Sequence, residues 1–72
     1  MRPVPARAPL EWHTIGPWTY SLGGFGTIRG LGGLAPWIVH IQLQRLGVYT
    51  SLAVARIALE TAAFAAGHEI SG

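Results

Sequence analysis

PWIVHIQLQRLGVYTSLAVARIALETAAFAAG, residues 36–67, opens on a proline, contains no other, and carries one internal glycine, Gly47. Proline suits the first turn of a helix, where its missing N–H costs nothing. Gly67 suits the cap at the far end, with His68 beside the negative pole of the helix dipole. Alanine and leucine fill the interval. These signals predict one long helix over 36–67, about 45 Å if it does not break near Gly47.

At 100° per residue such a helix would carry three stripes. Gln42, Arg45, Tyr49, Arg56 and Glu60 form a narrow polar line. Gly47, Ser51, Ala55, Ala58, Ala62 and Ala65 form a small-residue line at intervals of three and four. Of the remainder, Val39, Leu43, Leu46, Val54, Ile57 and Phe64 lie on one flank, and Ile41, Val48, Leu52 and Leu59 on the other. A thin polar line on an apolar cylinder implies that most of the circumference meets protein or lipid. The small line suits close contact with another helix.

Outward from this stretch the chain changes character. Residues 18–35 hold six of the ten glycines and read as a Gly-rich turn or short helix. Neither nucleotide-binding glycine pattern is complete there: no Gly-Lys-Ser/Thr follows, and Arg29 stands where Gly24-x-Gly26 would need its third glycine. Residues 1–17 carry prolines at 3, 5, 9 and 17 and predict an extended arm. Residues 68–72 are a short tail. The expected fold is therefore all-α: one small helical subunit over 1–72, with an extended arm, a Gly-rich turn or short helix, and one long C-terminal helix packed in an assembly.

Composition narrows the function. Half the residues are hydrophobic and 11% are charged, against about 25% in ordinary soluble domains. A chain so poor in charge tends to associate. It has no cysteine for a disulfide or a thiolate site. The five arginines are scattered rather than clustered, which argues against a nucleic-acid partner. With no Asp, no Cys and three separated glutamates there is no nucleophile and base, so neither catalysis nor a small-molecule substrate is expected. Glu11 and His13 are close only on a proline-rich arm. The three histidines, 13, 40 and 68, lack metal-site spacing. His40, beside the small residues of the expected helix, is the one candidate cofactor ligand, for a tetrapyrrole metal, with a hydrogen-bonded histidine as the ordinary alternative.

Residues 46–67 are long enough to cross a bilayer, with Arg56 and Glu60 turned to a neighbour. Trp12, Trp18, Tyr20 and Trp37 precede that span as an aromatic belt would, and the arginines before it place the N-terminus on the cytoplasmic-equivalent side. The sequence thus predicts a non-catalytic accessory subunit of a membrane complex, in contact with lipid and with other subunits or copies of itself, and by base rate an energy-transducing one. The alternatives are a self-assembling protomer of a filament or shell, and a pigment-binding antenna subunit using His40.

Overall fold

The computed structural model describes residues 9–32 and 34–71, with the backbone alone at Leu34. Five strands, β1 (Trp12–Gly16), β2 (Thr19–Leu22), β3 (Gly26–Leu31), β4 (Leu34–Ile41) and β5 (Gln44–Tyr49), precede one helix, α1 (Leu52–Ala65). Each strand pairs antiparallel with the next, so the sheet order is the chain order. The all-α expectation is overturned.

The long helix expected over 36–67 is β4, β5 and then α1. The competing signal is a period of two: Val39-His40-Ile41-Gln42-Leu43-Gln44 alternates apolar with polar, and Trp37, Ile38 and Val39 favour a pleated surface. Trp37 and Val39 are buried under α1, while Ile38 and His40 face the other way. A two-residue turn at Gln42 and Leu43 reverses the chain, with Gln42 in the left-handed region at φ 55. Pro36 lies within β4, after a cis peptide, and starts no helix.

The Gly-rich segment is likewise neither a loop nor a helix but β2, β3 and their turns. Its glycines admit large neighbours. A Cβ at Gly26 would stand 2.6 Å from Leu59 Cδ1 and 2.7 Å from the His40 carbonyl oxygen, so α1 sits close to β3 because nothing projects there. Gly30, opposite Trp37, lies beneath the indole ring, which a Cβ would strike. Of the arm, residues 9–17 are described, and they are largely the edge strand β1. Residues 1–8 lie outside the described part.

α1 begins at Ser51, whose hydroxyl accepts a long bond from the Val54 N–H at 3.5 Å. It ends where the sequence places a stop. Gly67 takes φ 87, its N–H reaches the Phe64 carbonyl at 3.0 Å, and the His68 N–H reaches Ala63 at 2.9 Å. That pair of bonds is the Schellman arrangement. Ala55, Leu59 and Ala63 are fully buried against β3, β4 and β5, and with Leu22, Ile28, Trp37 and Val39 they make the core. Beyond Gly67 the tail returns to the start of β1. Leu10 and Ile70 form a parallel bridge, with the Leu10 N–H on the Glu69 carbonyl at 2.7 Å and the Ser71 N–H on Leu10 at 2.8 Å.

Among the described residues no helix is long and apolar enough to cross a membrane. α1 has 14 residues, about 21 Å against the 30 Å of a hydrocarbon core. The span expected over 46–67 is the end of β5, a short link and this helix. The transmembrane placement, the N-terminal orientation and the reason for expecting lipid rested on that span and are withdrawn.

Candidate functional site

The two lines drawn on a continuous helix come apart. Gly47 belongs to β5, opposite Val39, and Ser51 is the cap of α1. Ala55 is buried on the chain's own sheet and Ala58 and Ala62 are half-buried, leaving Ala65 exposed. Where the line is fully buried, at Ala55, it lies against the chain's own sheet. Of the polar line, Gln42 sits in the β4–β5 turn, and Arg45 and Tyr49 lie on β5. Only Arg56 and Glu60 share a helix.

His40 lies on the sheet face that α1 leaves bare, between Thr27 of β3 and Arg45 of β5. Gly47 is on the opposite face, so the crevice that would seat a tetrapyrrole beside His40 is not assembled. Glu11 Oε2 and His13 Nε2 stand 4.0 Å apart, both mostly exposed, at the start of β1.

Two surfaces involve α1. The first is the outward side of α1. Val54, Ile57 and Phe64 are 49%, 62% and 59% exposed, with Thr61 between them by helical spacing and no charged residue on that side. They belong to one flank read from the sequence; the opposite flank, Leu52 and Leu59, turned to the sheet.

The second is a groove. α1 lies over β3, β4 and β5, so the β1–β2 hairpin extends past one flank of the helix. There Trp12, Thr14 and Tyr20 point to the helix side, since Trp12 pairs with Leu22 and Thr14 with Tyr20. Leu52 and Arg56 form the helical wall, and the cavity measures about 190 Å³. Its end is fixed by the Trp12 indole, which donates from Nε1 to Glu60 Oε2 at 2.9 Å. The Arg56 guanidinium carbon lies 5.0 Å from the centre of the Trp12 ring, a cation–π contact. Arg56 and Glu60, expected to turn to a neighbouring chain, both make contact with one tryptophan of their own chain. Nothing in the sequence joins Trp12 to residues 56 and 60; only the folding of the edge strand against the helix does so.

No family model matches the chain, and neither a curated protein nor a solved structure resembles it in the comparisons made.

Proposed function

We propose that this chain is a small non-catalytic assembly subunit that associates with copies of itself through the outward side of α1. One observation carries the reading: the helix is apolar on both sides, with Ala55, Leu59 and Ala63 spent on the sheet and Val54, Ile57 and Phe64 left to solvent. Burying such side chains is favourable by about 25 cal/mol per Å² of apolar surface. The charged Arg56 and Glu60 are drawn to the Trp12 flank, so a twofold pairing sets no like charges opposite each other. The absence of Asp and Cys, with three scattered glutamates, supports the non-catalytic part.

A single pair of 14-residue helices buries less than a standard interface of roughly 1,600 Å², so the association expected is micromolar or weaker. Sedimentation equilibrium over a concentration series should show a reversible rise in mass. Ile57→Glu and Phe64→Glu should each abolish it while circular dichroism stays unchanged, because both residues are exposed. A monomer at every concentration, or variants that associate as the parent does, would overturn the reading.

A further inference from the structure

We infer that the groove between the β1–β2 hairpin and α1 binds a small carboxylate carrying a flat apolar body, with Arg56 as its anion contact. Arg56 has no ion pair among the described residues, and Glu60, one turn on, accepts the Trp12 indole N–H. The cation–π contact with Trp12 holds the guanidinium at the rim and engages none of its N–H edges in a hydrogen bond. Those edges match a carboxylate in two parallel hydrogen bonds. The Tyr20 and Thr14 hydroxyls also line the cavity without a hydrogen-bond partner among the described residues. No acid is among the lining residues, and the Glu60 carboxylate at the groove's end accepts the Trp12 indole N–H.

The rest of the wall is the Trp12 and Tyr20 rings, the Leu52 side chain and His13 at the edge strand. Trp12 and Tyr20 are diagonal neighbours across the hairpin and offer ring surface to a flat group. Size sets the class of ligand. At about 190 Å³ the groove falls below the roughly 300–1,000 Å³ of pockets for drug-sized molecules. A single-ring acid fits, and affinity for so few atoms is expected on the order of 1 mM.

The test is an NMR titration of the full ¹⁵N-labelled chain with benzoate, with benzyl alcohol as the ligand that keeps the ring and lacks the carboxylate. Benzoate should give saturable shifts confined to the amides around residues 12–14, 20 and 52–56. Benzyl alcohol should bind about tenfold more weakly, since only the charge-assisted contact differs. Arg56→Gln should weaken benzoate by about tenfold and leave benzyl alcohol unchanged. Should that variant disturb the Trp12 packing, Tyr20→Phe removes one hydroxyl alone and should weaken benzoate about threefold. Equal affinity for the two probes, shifts outside the groove, or no saturation by about 20 mM would overturn the proposal.

Discussion

Gly24 and Gly26 stand on either side of Phe25 and differ entirely in what surrounds them. A Cβ at Gly24 meets nothing within 4 Å, whereas at Gly26 it meets Leu59 and the His40 carbonyl at 2.6 and 2.7 Å. The carbonyl belongs to β4 and cannot move without breaking the β3–β4 ladder. Gly26→Ala should therefore cost about 1–3 kcal/mol, the usual penalty for overfilling a packed site. Gly24→Ala should change stability by less than about 0.5 kcal/mol. Urea denaturation of both variants checks the contrast; equal losses would mean that α1 can lift from β3. Gly67 presents the opposite case, with open space around it and φ 87. Gly67→Ala should cost about 1 kcal/mol through backbone conformation alone, and melting curves would show it as a lowered Tm.

The elements divide into those whose signals lay in the local sequence and those decided by partners. The end of α1 was legible because Gly67 has a backbone reason to be there. Its start was obscured: Ser51 is a fair cap residue, but Val54 stands where a Glu would complete a capping box, and neither glycine nor proline separates Tyr49 from Leu52. β4 and β5 were legible in principle through the alternation from Val39 to Gln44. The leucine- and alanine-rich run behind them has the stronger helical pattern and extends its reading backwards. β3 was the hardest. Gly26-Thr27-Ile28-Arg29-Gly30-Leu31 has the composition of a flexible link, and becomes a strand because Leu59 and Trp37 fill the space its glycines leave. Of the groove, Arg56 and Glu60 were visible as a pair that needed a partner. Trp12, 48 positions from Glu60, could not be assigned to them before the hairpin was placed.

At the level of the whole molecule, the two ends of the described chain meet as a clasp. Leu10 and Ile70 run side by side in the same direction, joined by two backbone hydrogen bonds. Tension applied at residues 9 and 71 draws parallel neighbours past each other, so both bonds bear load at once. Tension applied at residues 9 and 24 instead opens the β1–β2 hairpin from its free end, one pair after another. In an optical trap the first geometry should rupture at the higher force and in a single step, and the second at a lower force. A reversed order would mean that the tail contributes no mechanical resistance. A chain held by both ends would then be brittle rather than elastic: it keeps its length until the clasp shears, and the core is pulled apart only afterwards.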